Sequence, residues 1–262
     1  DKYRPKLIYF DWWIQHHAVK PYLKKFAAYY YNRAHEWNEE VAINYKNDAF
    51  MFGSAVIDME RGQFNEPKPN LWQSCTSVAR NSWGYTEDND YKTANEIICD
   101  LVDIVSKNGC LLLNIGPKGD GSIPEEDKKL LLEIGDWLKV NGEAIYDSKV
   151  WRYASEGPTE VSEGQFSDAT SKKFTPKDIR YTVNNNAIYA TVLNYPENGQ
   201  VKLTSFAKKD PCFVPCFHGI IKDIVALGFD EEIKWNHSTD ALEISTTTIQ
   251  SELPVVFKII LD

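Results

Sequence analysis

Residues 110–117 read CLLLNIGP, and the fold turns on them. An apolar run that stops abruptly at Asn114 and a glycine-bearing loop, KGDG at 118–121, is the pattern of a strand buried on both faces, as in a parallel sheet. The segment before it, 95–107, carries Ile98, Leu101, Val102 and Val105 at helical spacing and ends at Asn108-Gly109. The segment after it opens at Ser122, with Pro124 and Glu125 in early positions. It presents Leu130, Leu131, Ile134, Trp137 and Leu138 as one apolar stripe. Helix, buried strand and helix in succession predict an α/β sheet with crossover connections.

The same unit repeats toward the N-terminus. LIYFDWW (7–13), VAINYK (41–46) and SAVIDME (54–60) are short apolar runs that each terminate in polar or charged groups. Between the first two, residues 21–37 place Leu23, Phe26, Ala27, Tyr30 and Ala34 on one helical face with Pro21 near the start. Four barrel strands are legible, and polar groups at their ends predict a site at the carboxyl edge of the sheet. Beyond about residue 150 the texture changes to AIYATVLNY (187–195), VKLTSF (201–206), LEISTTT (242–248) and VVFKIIL (255–261), separated by Asn, Gly and Pro. That alternation predicts an antiparallel sandwich. The expected organisation is therefore α/β plus all-β. Residues 1–149 form the second half of a (β/α)8-like barrel, its C-terminal part, and residues 150–262 form a β-sandwich.

Composition narrows the function. The 262 residues carry 29 Lys plus Arg against 38 Asp plus Glu, a formal charge of −9, which leaves no basic surplus for nucleic acid. No apolar run approaches the roughly 20 residues of a membrane helix. The aromatic content of 13% suits either a core or the flat walls of a concave ligand site. Cys75, Cys99, Cys110, Cys212 and Cys216 are an odd set spread over a long chain, and buried thiols are expected. Cys212 and Cys216 lie near His218, but a second ligand pair is missing and no metal site is expected. DKYRPKLIYF holds no signal-peptide core, so the compartment stays open among extracellular, periplasmic and lysosome-like.

Asp11 stands between Phe10 and Trp12 at the end of an apolar run, where a charge is costly to desolvate unless it is bonded or employed. A second run ends in Asp58-Met59-Glu60-Arg61. Two acids at the ends of neighbouring strands suit glycoside hydrolysis, one as nucleophile and one as acid and then base. Asp58 and Glu60 share a strand face, so periodicity does not choose between them. The segment LWQSCTSVARNSWGY (71–85) reads as a loop whose Trp72, Trp83 and Tyr85 offer a stacking surface, with Arg80 and Asn81 to bond hydroxyls. Lys46 and Asn114 are further strand-end candidates. No G-x-S-x-G elbow supports a serine nucleophile, and His16-His17 reads as loop or helix start.

IYFDWW, DMERGQF, LWQSCTSVARNSWGY, DLVDIVSKNGCLLLNIGPKGDGSIP and IGDWLKVNGEAIY together resemble the α-L-fucosidases of glycoside hydrolase family twenty-nine. The resemblance is dense over about residues 5 to 152 and holds only in kind beyond. It implies a retaining exo-enzyme that releases terminal α-L-fucose from glycans through a covalent glycosyl-enzyme, without metal or organic cofactor. By the same resemblance Asp11 matches the nucleophile and Glu60 the acid/base. Gln73 replaces a glutamate found in many members and cannot exchange a proton. Trp83 and Lys46 are the substrate-binding residues it implies, Trp83 against the fucose methyl group, and Arg80 and Trp13 complete the expected substrate-binding set. The family's preceding half-barrel, with its sugar-binding His motifs, has no counterpart here. Activity is thus expected to need those strands from elsewhere, for instance another chain. A non-catalytic fucose-binding module and a retaining hydrolase for a related sugar such as a galactoside are the alternatives.

Overall fold

The computed structural model describes residues 1–169, 173–208 and 216–262. Its first part alternates as expected: β1 (Leu7–Tyr9), α1 (Lys20–Trp37), β2 (Ala42–Tyr45), β3 (Val56–Glu60), β4 (Trp72–Ser77), α2 (Ala94–Ser106), β5 (Gly109–Asn114) and α3 (Glu125–Asn141). The five strands pair in parallel in chain order and curl into a half-barrel. Helix ends follow local chemistry. Pro21 sits in the first turn of α1, where a missing N–H costs nothing, and Asn38 closes that helix in the left-handed region. Thr93 and Glu96 form a capping box at the start of α2.

One expectation is corrected. Four strands and a loop were read where there are five strands, because residues 72–77 of the supposed loop form β4, buried along its whole length. WQSCTS hides from a hydropathy reading because its polar side chains are satisfied inside the fold. Gln73 donates to Asp58, Ser74 to the Gly62 carbonyl and Thr76 to Asp168.

The second part contains β6 (Lys149–Glu156), β7 (Ile179–Asn184), β8 (Ala187–Val192), β9 (Gln200–Leu203), β10 (Ile221–Ala226), β11 (Lys234–His237), β12 (Leu242–Ser245) and β13 (Val255–Leu261). They build an antiparallel sheet of order β10-β13-β8-β7-β6 and a smaller one of order β11-β12-β9. All six residues of β8 are buried, unusual for an antiparallel strand, because both of its faces are covered. Ile188, Ala190 and Val192 face the core between the two sheets, while Ala187 and Tyr189 join the cluster formed with Ile97, Ile98 and Val102 of α2 and Trp137 of α3.

A buried ion cluster crosses the same seam. Asp103 of α2 pairs with Arg180 of β7 and with Lys107 at 2.5 Å, all three side chains nearly inaccessible. Burial pushes the Asp103 carboxyl up, but the Arg180 and Lys107 charges outweigh it and hold the group below the usual carboxylate range. A folded-state value below the unfolded one stabilises fully above about pH 4, and the contribution is lost as pH falls through the folded value. Arg180→Met is therefore expected to cost about 3–5 kcal/mol in urea unfolding at pH 7. The deficit should narrow below about pH 4 as Asp103 takes up a proton.

Candidate active site

Residues that are partners across a parallel sheet share a face. Tyr9 lies beside Asn44, Asp58 beside Gln73 and Cys110, and Glu60 beside Cys75 and Leu112. The opposite face carries Tyr45, Met59, Trp72 and Leu111, which pack into small apolar clusters on the helix side. The first set is the concave face. Its polar character at the carboxyl ends of β1 to β5 is what distinguishes this sheet from a plain buried one.

Asp58 is the anchor of that face and is 0% exposed. Its Oδ2 accepts from Lys46 Nζ at 2.7 Å, Tyr9 Oη at 2.8 Å and Cys75 Sγ at 2.9 Å, and its Oδ1 accepts from Gln73 Nε2 at 2.6 Å. Every direction of approach is taken. Its negative charge acts on its neighbours in turn. Burial and the Asp58 bond push the Cys75 thiol up to about 12, and the same two causes raise the Tyr9 phenol, so both stay protonated donors.

Glu60, two residues on, reaches the solvent-facing end. Its Oε2 accepts from Trp12 Nε1 at 2.6 Å and lies 3.1 Å from Lys46 Nζ. Burial works against the Lys46 charge, but the Asp58 and Glu60 carboxylates overcome it and hold the ammonium above its ordinary range. Lys46 and Asp58 thus bury as a nearly neutral pair, and Glu60 meets that pair and not a bare cation.

A cleft of about 270 Å³ opens over these groups, lined by Tyr9, Asp11, Lys46, Glu60, Cys75, Trp83, Leu112 and Asn114. It brings together four of the six expected site residues: Asp11, Glu60, Lys46 and Trp83. Asp11 is two residues beyond the end of β1, exposed, and bonded to no other side chain among the described residues. Trp83 is fixed from behind, with the Arg61 guanidinium 4.4 Å from its ring centroid and its carbonyl accepting from Asn114 Nδ2 at 2.6 Å. The other two lie apart from the cleft. Trp13 is 81% exposed, and Arg80 is held by both carboxylate oxygens of Glu96, at 2.8 and 2.6 Å. Trp12 and Arg61 are contributors that sequence reasoning missed, and Gln73, set aside there as unable to exchange a proton, enters as a donor to Asp58. The one signal for Trp12 and Arg61 was adjacency to Asp11 and Glu60.

Among the described residues no three His, Cys, Asp or Glu side chains gather as a metal site. Cys216 Sγ and His218 Nε2 are 3.1 Å apart, and Cys212 lies outside the described residues. Among the described residues no helix is long and apolar enough to cross a membrane.

Comparison with known proteins adds independent information. The family profile described as Alpha-L-fucosidase matches residues 1–143, and that described as Alpha-L-fucosidase C-terminal domain matches residues 172–260. The tissue alpha-L-fucosidase of Rattus norvegicus is 38% identical over 191 residues, covering 72% of this chain and 35% of that protein. The tissue alpha-L-fucosidase of Homo sapiens is 37% identical over 172 residues, 64% of this chain and 31% of its own length. The chain thus spans about a third of the length of these curated relatives. Among solved structures, Thermotoga maritima alpha-fucosidase in complex with fucose superposes with a TM-score of 0.71 at 23% identity, over 98% of this chain and 53% of that one. At that identity the superposition speaks for the fold.

Proposed function

This chain belongs to the α-L-fucosidase family, and from that premise we propose that it carries the nucleophile and acid/base of a retaining exo-α-L-fucosidase acting on fucosylated glycans. The observation that carries the proposal is the convergence of Asp11, Glu60, Lys46 and Trp83 on one cleft at the carboxyl edge of a parallel sheet.

The chemistry follows from the placement. Asp11, which bonds no other side chain among the described residues, attacks the anomeric carbon while the glycosidic C–O bond breaks. Glu60 gives its proton to the departing oxygen. It then takes a proton from water, whose oxygen attacks the anomeric carbon and releases the Asp11 carboxylate. Lys46, paired with Asp58, also holds Glu60 in place. Trp83 packs its ring face against the apolar side of the fucose. Residues 1–149 supply this half-barrel, and residues 150–262 form the sandwich that braces it.

Turnover belongs to the closed barrel. Both sheet edges, β1 and β5, lack a neighbour among the described residues, and Leu7 and Leu112 are 50% and 49% exposed. Open strand edges beside exposed apolar groups call for further strands, from elsewhere in the same protein or from another chain. With the barrel closed, proton NMR during hydrolysis of an aryl α-L-fucoside should show α-L-fucose as the first product. The β-anomer appearing first would exclude double displacement.

A further inference from the structure

Residues 164–168 belong to the connection between the antiparallel partners β6 and β7, yet they run beside the end of β3. Gly164 N–H donates to the Gln63 carbonyl at 3.0 Å, Phe166 N–H to the Glu60 carbonyl at 2.8 Å and Asp168 N–H to the Arg61 carbonyl at 2.9 Å. Glycine at position 62 makes the approach feasible, since a Cβ there would stand 1.8 Å from the Gly164 oxygen. Gln165 adds a side-chain bond, its Oε1 accepting the N–H of Glu60. The peptide groups on both sides of Glu60 are therefore tied to this segment.

The docking sets Phe166 parallel to Trp12, with ring centroids 6.1 Å apart and 5° between the planes. Trp12 is the residue whose indole bonds Glu60. Folding alone gives little reason for a phenylalanine here. Phe166 has φ 57°, a left-handed conformation that strains a bulky side chain, and its ring stays 53% exposed. Glycine or asparagine would suit this backbone better, and a polar side chain would suit this exposure better.

Neither aromatic lines the cleft that holds Asp11, Lys46 and Trp83, whereas Glu60 both lines that cleft and bonds the aromatic pair. When Glu60 protonates the glycosidic oxygen, the fucosyl ring lies on its cleft side and the leaving group on its other side. We infer that the stacked Trp12–Phe166 pair is the leaving-group subsite, offering a flat face to the sugar next to fucose, and that Gln165 is a positioning residue for the strand end bearing Glu60. This subsite presupposes Glu60 as the acid/base.

Two substrates separate the possibilities in the closed-barrel protein. A fucosyl disaccharide has a sugar leaving group that needs both a binding face and a proton, and α-L-fucosyl fluoride has neither requirement. Phe166→Ala should lower the ratio of kcat/KM for the disaccharide to that for the fluoride about tenfold, and Phe166→Trp should restore it. Phe166→Gly should give the same fall in ratio with a thermal midpoint no lower than that of the parent, because the strain at φ 57° is relieved. An unchanged ratio in Phe166→Ala, or a Phe166→Gly variant that loses stability and activity on both substrates together, overturns the inference. Glu60→Gln is measured alongside. If it lowers both substrates equally, the acid/base assignment fails on its own, whatever Phe166 does.

Discussion

Asp11→Gly is expected to reduce kcat/KM on an aryl α-L-fucoside by about four orders of magnitude, the equivalent of about 5.5 kcal/mol. The expectation rests on the cleft having no substitute. Asp58 is the nearest alternative by sequence pattern, but both its oxygens are occupied by Lys46, Tyr9, Cys75 and Gln73. Glu60 is bound to Trp12 and Lys46, and in the proposed mechanism it serves a different step. Because Asp11 bonds no other described side chain, its loss should leave the thermal midpoint unchanged, which separates a chemical defect from a folding defect. Azide entering the vacated space would attack from the nucleophile's own direction. The product to look for is therefore β-L-fucosyl azide, the inverted anomer.

Glu60→Ala should have the second largest effect, of a different shape. Hydrolysis of a fucosyl disaccharide, whose leaving oxygen needs a proton, is expected to fall about a thousandfold. Fluoride as leaving group should be far less affected in the first step, and the Asp11 ester should then accumulate because no base activates water. Azide needs no base, and its attack on that ester yields α-L-fucosyl azide with retained configuration. Opposite azide anomers from the two variants would assign nucleophile and acid/base independently of any rate. Lys46 keeps Asp58 as its 2.7 Å partner in the Glu60 variant, so the buried pair should survive the substitution.

The legible parts of the molecule are those in which local pattern and tertiary role agree. CLLLN is strand-like in composition and does form β5, although that strand is an edge whose residues are only part-buried, with Leu112 exposed toward the cleft, and the spacing of Leu23, Tyr30 and Ala34 matches the buried face of α1. WQSCTS does not read as a strand because its polar side chains are satisfied by specific hydrogen bonds inside the fold and no aliphatic run marks it. Asp58 and Glu60 could not be separated by a period of two. Burial separates them, since one is sealed under four donors and the other lines the cleft. Gln165 and Phe166 left no trace in any local window, being about a hundred residues from Glu60 along the chain. They entered the site only because Gly62 lets two backbones meet. Arg80 illustrates the converse, a plausible hydroxyl ligand that the fold spends on Glu96 at the start of α2.

Trapping the glycosyl-enzyme tests the assignment of the nucleophile most directly. The closed-barrel protein is incubated with a 2-deoxy-2-fluoro-α-L-fucosyl fluoride, which slows hydrolysis of the covalent ester more than its formation, then digested and mapped by mass spectrometry. The expected result is one fluorofucosyl adduct per chain, on the peptide containing Asp11 and absent from Asp11→Gly. An adduct on any other carboxylate, or hydrolysis without a trappable ester, would contradict Asp11 as the residue that attacks the sugar.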